Sequence, residues 1–290
     1  MNKSKKKFRI LSCAPNKTKK IGNNKKILTC YSNTILQQMK NIWNRTNVNK
    51  IKYTDPYDIW YFFKNVLNNS CTNELCWLNY KPFERYLKKN DIKNELFRPF
   101  APNNWRKNIY AWLSNIDIKE VLNQYEKEYP EFVFIGPSSI DFDDKKYFGV
   151  CVWEKLCKFN LQEYYNKKKT KIGIIFNLSK HNEAGSHWVS LFIDIKKSFI
   201  FYFDSNGDSV PIRIKRLVDR IKEQGNLLKI NFKFMNNYKV RHQNKDGSCG
   251  MYALYFIIKL MREDYEPEYF IKNKIRDEEV QKYRKIYFNI

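Results

Sequence analysis

Gly185-Ser186-His187-Trp188-Val189-Ser190-Leu191-Phe192-Ile193-Asp194-Ile195-Lys196-Lys197-Ser198-Phe199-Ile200-Phe201-Tyr202-Phe203-Asp204 is the stretch on which the reading of this chain turns. It holds two apolar runs, Trp188 to Ile195 and Phe199 to Phe203, joined by Lys196-Lys197-Ser198. Aromatic and β-branched side chains favour a pleated strand, and the short polar link suits an antiparallel pair. If the runs pair, the head of the first lies beside the end of the second. His187 and Asp204 occupy those two positions, so pairing alone makes them neighbours.

Outward from this pair the texture stays mixed. Ile172 to Leu178 is a further strand-like run, and Phe132-Val133-Phe134-Ile135 reads as a strand ending in a turn at Gly136-Pro137. Ile116 to Lys127 and Ile212 to Gln224 have helical spacing, and Leu227 to Tyr238 contains one more short strand. Met251 to Met261 is apolar nearly all round, the pattern of a helix buried in a core. Asp277 to Tyr287 reads as a charged helix. Strands framed by helices in this order predict an α+β domain. Upstream, Ile35 to Trp43 and Tyr57 to Leu67 carry apolar side chains at spacings of three and four, as helices do. Residues 1–30 lack sustained periodicity and are expected to be flexible to Asn24. The two prolines of Arg98-Pro99-Phe100-Ala101-Pro102-Asn103-Asn104 mark the boundary. The expected division is a basic, mostly helical N-terminal arm, 1–104, and a catalytic α+β domain, 105–290.

The 290 residues are 43% hydrophobic and 17% aromatic, which excludes a disordered chain and supports a sizeable core. No apolar run reaches the roughly 18 to 20 residues of a membrane span, and Met1 to Lys5 lacks a signal-peptide stretch, so a soluble protein is expected. Net charge is +24, and residues 1–50 hold thirteen Lys or Arg and no acid. Such a block often binds polyanions, so nucleic acid is an expected partner of residues 1–50. The abundance of Lys, Asn, Ile, Tyr and Phe is equally the bias of an AT-rich coding sequence. Seven cysteines at irregular spacings, with three histidines and no C-x-x-C pair, predict reduced thiols and no metal site.

One of those thiols is placed for chemistry. A cysteine nucleophile needs a base, a group to orient the base and donors for the oxyanion. Cys249 stands in Gly247-Ser248-Cys249-Gly250 directly before the apolar helix, where the positive end of the helix dipole favours the thiolate. The flanking glycines permit a sharp turn and close approach of a substrate backbone. Gln243, six residues earlier, can direct an amide donor to the same place. His181 and His242 lack such partners and are read as surface or loop residues. Each piece has an ordinary alternative: a packed cysteine, a structural histidine, a turn-forming aspartate. The ordered set is more specific than its members.

His187-Trp188, Phe203-Asp204-Ser205 and Gln243-x5-Cys249-Gly250 together resemble the cysteine protease clan of SUMO-specific (Ulp-type) proteases and adenovirus proteinase. Within it the chain is most similar to the polyprotein-processing proteases of African swine fever virus and other large DNA viruses, over roughly Ala111 to Ile290. The resemblance implies a papain-like, Ulp-type core with a central mixed sheet flanked by helices. It makes Cys249 the nucleophile, His187 the base, Asp204 the orienting group and Gln243 the oxyanion donor. The African swine fever type has Asn where this chain has Asp204, so Asp204 follows the wider clan. A tryptophan pair that narrows the path of a Gly-Gly substrate end maps to Trp188 and Trp112; Trp77 lies too far upstream.

The implied activity is a thiol endopeptidase cutting viral core and structural polyproteins after Gly-Gly-Xaa sites during virion maturation, in the virion and host cytoplasm. No cofactor is expected beyond DNA as an activator, by likeness to the adenovirus enzyme. Two other readings stand beside it: a deSUMOylase or deubiquitinase acting on host conjugates, and a nucleic-acid-binding core protein on an inactive protease fold.

Overall fold

A computed structural model describes residues 8–22 and 27–290. The chain falls into two compact units, one of Met1–Phe100 with Lys285–Ile290 and one of Ala101–Arg284. The sequence had placed the boundary at 104 and kept the tail in the second domain. The tail returns because Asn289 accepts from the Ser12 N–H at 2.6 Å and donates to the Arg98 carbonyl at 2.8 Å.

The first unit opens with a hairpin, β1 (Lys19–Ile21) and β2 (Ile27–Thr29), paired antiparallel. The expected flexibility to Asn24 is therefore corrected for residues 8–22, while residues 1–7, 23 and 24 lie outside the described residues. Helices α1 (Asn33–Thr46) and α2 (Pro56–Val66) follow where the spacing predicted them. Ser32 accepts from the Ile35 N–H to cap the first, and Asp55 with Pro56 starts the second. Short helices α3 (Glu74–Trp77), α4 (Lys81–Tyr86) and α5 (Lys89–Leu96) complete it. Its core is aromatic, with Tyr31, Trp60, Phe63, Trp77 and Phe83 all buried.

In the second unit α6 (Asn115–Glu128), held by a Ser114–Asp117 capping box, leads into β3 (Phe132–Ser139). Here the sequence reading needs correction. The strand does not end at Gly136-Pro137 but shifts register between Ile135 and Ser138 and runs on beside its neighbour, as a bulged strand does. Two short helices, α7 (Glu154–Cys157) and α8 (Leu161–Asn166), precede β4 (Lys171–Asn177), β5 (Trp188–Asp194) and β6 (Phe199–Phe203). Then come α9 (Ile212–Leu227), β7 (Lys233–Asn236) and α10 (Cys249–Met261). The expected last helix is instead two, α12 (Asp277–Lys282) and α13 (Arg284–Tyr287), after the short α11 (Tyr269–Lys272).

The five strands form one mixed sheet in chain order, β3-β4-β5-β6-β7. The two outer pairs are parallel and the two inner pairs antiparallel. Alternation along β6 divides the core. Ile200 and Tyr202 join Ile214, Leu217, Val218 and Ile221 of α9 on one face. Phe201 and Phe203 pack against Phe256 of α10 on the other, Phe203 stacked on it at 4.6 Å between centroids. This is the α+β architecture expected from the sequence, a central mixed sheet flanked by helices. No helix among the described residues is long and apolar enough to cross a membrane.

Six cysteines pair as Cys13–Cys30, Cys71–Cys76 and Cys151–Cys157, and only buried Cys249 remains a thiol. The expectation of seven reduced thiols is thus corrected. Folding brings each pair's Cα atoms within 5.2 to 6.2 Å, which irregular spacing does not disclose.

Gly173 of β4 lies under α10, where an added Cβ falls 2.9 Å from Ile257 Cγ2 and 3.0 Å from Phe132 Cε2. Gly173→Val should therefore overpack the sheet–helix seam and cost about 1–3 kcal/mol of stability. Urea denaturation measures it; an unchanged midpoint would show that the seam yields.

Candidate active site

The register of β5 on β6 places Ser190 opposite Phe203, so the residues just outside the ladder converge. His187 Nε2 meets Asp204 Oδ1 at 2.7 Å. The Asp204 carboxylate is buried, and the same oxygen accepts from the Asn206 N–H at 2.8 Å. Asn237, itself buried, clasps the Asp204 backbone by donating to its carbonyl at 2.7 Å and accepting from its N–H at 3.0 Å. Asn237 follows β7, and nothing local in the sequence marks it.

Cys249 is the first residue of α10, and its side chain faces the His187 ring. With Nε2 taken by Asp204, Nδ1 is the nitrogen left for the sulfur. Burial pushes the imidazole's pKa down, but hydrogen bonds to Asp204 and Cys249 and the charges of both outweigh it, holding His187 up at about 10. The ring is thus a stable imidazolium at neutral pH, ready to pair with a thiolate and to return a proton.

Gln243 is buried beside them, and its amide is held at both ends. The Ser205 hydroxyl donates to Oε1 at 2.8 Å, and Nε2 donates to the Lys245 carbonyl at 2.9 Å. An amide NH₂ has two donors, so one N–H remains for the cavity. That cavity, about 370 Å³, is lined by His187, Gln243, Cys249, Trp112 and Asn206 among others. The loop from Gln243 to Cys249 is anchored from below. Buried Asp277 accepts from the N–H groups of Asn244 at 3.0 Å and Lys245 at 3.2 Å. Gln281 donates to the Ser248 hydroxyl at 2.8 Å. Sequence reasoning missed Asp277 and Gln281, both in α12 and more than thirty residues away.

The two tryptophans lie against this loop. Gly247, at φ +82°, leaves room for Trp112, whose Cδ1 would stand 2.8 Å from an added Cβ. Gly250 lies under Trp188, Cδ1 3.2 Å from an added Cβ. Trp188 is buried and donates its indole N–H to the Leu113 carbonyl at 3.0 Å, whereas Trp112 is exposed. A second cavity of about 510 Å³ is lined by Trp112 and Trp188 together with Pro137, Asn177 and His181.

The other two histidines differ in how they meet the sequence reading. His181 is an exposed loop residue as expected, but it has an acidic partner, Nδ1 lying 2.7 Å from buried Asp141. His242 is fully buried, with Nε2 on the Phe270 carbonyl and Nδ1 accepting from the Ile275 N–H. Burial takes its pKa down to about 4, so it is a neutral core residue.

Residues 121–289 match the model of the Ulp1 protease family, C-terminal catalytic domain. A SUMO-1 cysteine protease of African swine fever virus, isolate Pig/Kenya/KEN-50/1950, is 30% identical over 232 residues, covering 76% of this chain and 84% of its own. An Acanthamoeba polyphaga mimivirus protein named as a thiol protease is 30% identical over 231 residues, covering 78% and 72%. The crystal structure of an African swine fever virus protease shares the fold, with a TM-score of 0.65, 24% identity and 96% of each chain covered.

The raised His187 pKa has a stability consequence of definite sign. The unfolded ring titrates near 6.5 and the folded one near 10, so the native state binds the extra proton between them. The stabilisation is full below pH 6.5 and is lost as pH rises through 10. Asp204→Asn keeps a hydrogen-bond acceptor and removes the charge. An NMR titration should then find the His187 midpoint clearly lower than in the wild type; equal midpoints would contradict the electrostatic account.

Proposed function

The chain belongs to the Ulp1 protease family and is a cysteine protease, and we propose that it is a viral endopeptidase that cuts structural polyproteins after Gly-Gly-Xaa sites as virions mature. The observation that carries the reading is the convergence of His187, Asp204, Gln243 and Cys249 on one cavity. In the proposed sequence the Cys249 thiolate attacks the scissile carbonyl carbon. The oxyanion so formed is held by the free Gln243 N–H and by the Cys249 backbone N–H at the start of α10. As the C–N bond breaks, protonated His187 delivers its proton to the departing amine. Neutral His187 then takes a proton from water, whose oxygen attacks the thioester, and collapse releases the acid and restores the thiolate. Asp204 holds the ring and stabilises its charged form throughout.

The walls support a preference for glycine. Trp112 and Trp188 stand against Gly247 and Gly250, so a chain drawn past them has little room for side chains. Being named for SUMO-1 in one relative favours the deconjugating reading as the competitor. The maturation reading also places the enzyme in the virion and host cytoplasm.

Cys249→Ala and His187→Ala should each lower kcat by several orders of magnitude, since members of such a set act as a unit. More than about a tenth of wild-type kcat in either would remove the assignment. Incubation with candidate viral polyproteins and sequencing of the new termini should find cuts after Gly-Gly-Xaa. Release of ubiquitin-like proteins from conjugates, with the polyproteins left intact, would favour deconjugation.

We also propose that residues 1–50, with thirteen basic and no acidic side chains, bind nucleic acid and so tune activity. At about 150 mM salt, where weak diffuse attraction is screened, duplex DNA should bind the unaltered chain more tightly than a variant with the exposed Lys19, Lys20, Arg45 and Lys50 changed to Gln, which leaves the core of this unit in place. Equal affinities and equal protease rates would leave this charge without a nucleic-acid role.

A further inference from the structure

An oxyanion donor made from a glutamine has a defect that a backbone N–H does not. Its amide can turn over, exchanging NH₂ for C=O with almost no change in shape. Turned, Gln243 would present an oxygen lone pair to the developing negative charge and oppose the reaction it serves. Something must therefore choose between the two orientations.

The structure supplies that choice on one side of the amide and an anchor on the other. The Lys245 backbone carbonyl can only accept, and it receives Nε2 at 2.9 Å, so a turned amide would set two oxygens against each other. The Ser205 hydroxyl donates to Oε1 at 2.8 Å; able to accept as well as donate, it anchors that end of the amide while the Lys245 carbonyl sets which way round it lies. Each of these groups is fixed in turn. Ser205 is 1% exposed, and its carbonyl accepts from the N–H groups of His242 and Gln243, both at 2.9 Å. The turn carrying Lys245 is pinned by Asp277, which is 3% exposed and accepts from the Asn244 and Lys245 N–H groups. The Asp277 side chain also receives the Tyr252 hydroxyl at 3.2 Å, tying the turn to α10.

We infer that Ser205 and Asp277 are positioning residues for the reaction, acting through Gln243 by holding its amide with N–H toward Cys249. The inference rests on the reading of Gln243 as oxyanion donor. Neither residue touches the reacting atoms; Asp277, by fixing the Lys245 turn, removes the alternative orientation, and Ser205 holds the amide in place before substrate arrives. Ser205 thus has a use beyond following Asp204, and α12 becomes part of the active-site architecture although no residue of it lines the cavity.

A double-mutant cycle on the full chain tests this, with kcat and KM measured on a Gly-Gly peptide and thermal melting measured alongside. Gln243→Ala should lower kcat by about 10²–10³-fold. Ser205→Ala should lower kcat about tenfold with KM within about twofold, because only a transition-state contact is disturbed. In the Gln243→Ala background the same Ser205→Ala change should cost less than about twofold, since no amide is left to orient. Asp277→Leu, which keeps roughly the side chain's size but removes both acceptors of the Asn244 and Lys245 N–H groups, should behave likewise and guards against misfolding of the serine variant. Equal losses from Ser205→Ala with and without Gln243 would overturn the inference and make Ser205 merely structural. No loss from Gln243→Ala itself would overturn the oxyanion reading, and the inference with it.

Discussion

The antiparallel pairing of β5 with β6 is the constraint on which the site depends. Ser190 opposite Phe203 sets the register, and from it the chain ends at His187 and Asp204 are brought to 2.7 Å. The side-chain period of a strand is two, so a slip of one residue would turn every side chain to the other face. Phe203 would leave its stack on Phe256, and Tyr202 would leave the α9 face. Hydrophobic burial on both faces therefore enforces the register that the chemistry needs. The sheet core and the dyad are one structural decision. The Asn237 clasp then extends that order by one residue beyond the strand, where ladder hydrogen bonds stop.

Burying a carboxylate and an imidazolium together costs desolvation, which attraction between them must offset. Asp204 meets that cost with His187 and the Asn206 N–H on Oδ1, and with the buried Tyr202 hydroxyl, whose pKa burial and the carboxylate together raise. The hydrogen bond and charge of Asp204, with those of Cys249, in turn keep the ring protonated against burial. His242 is the control within the same fold. It is buried with two neutral backbone partners and no carboxylate, and its pKa falls to about 4 where that of His187 rises to about 10.

What was legible in the sequence was local or repeated. Strands β4 to β6, helices α1, α2, α6, α9 and α10 and the His187–Asp204 neighbourhood all follow from patterns within about twenty residues. The missed features cross long separations. Asp277 reaches back thirty-three residues to the Asn244 N–H, and Asn289 reaches 277 residues to Ser12. Acidic residues opening a helix and an asparagine near a chain end are ordinary on their own, so no local signal distinguishes them. The bulged continuation of β3 was hidden for another reason. Gly-Pro is a strong turn signal, and only the presence of β4 alongside lets the chain resume pairing beyond it. His181 looked unpartnered because Asp141 lies forty residues upstream.

The glycines around Cys249 join these two kinds of information. Their presence was legible, and a close approach was the evident reason for them. Which group approaches was not, because Trp112 comes from the loop before α6 and Trp188 from the head of β5. Glycine removes the side chain from the nucleophile's loop, and the segment from Tyr110 to Leu113, with the Trp188 indole, occupies the space it leaves. On the proposed reading the same crowding acts on the substrate, leaving a chain drawn past the two indoles little room for side chains. Selection by exclusion needs no charge.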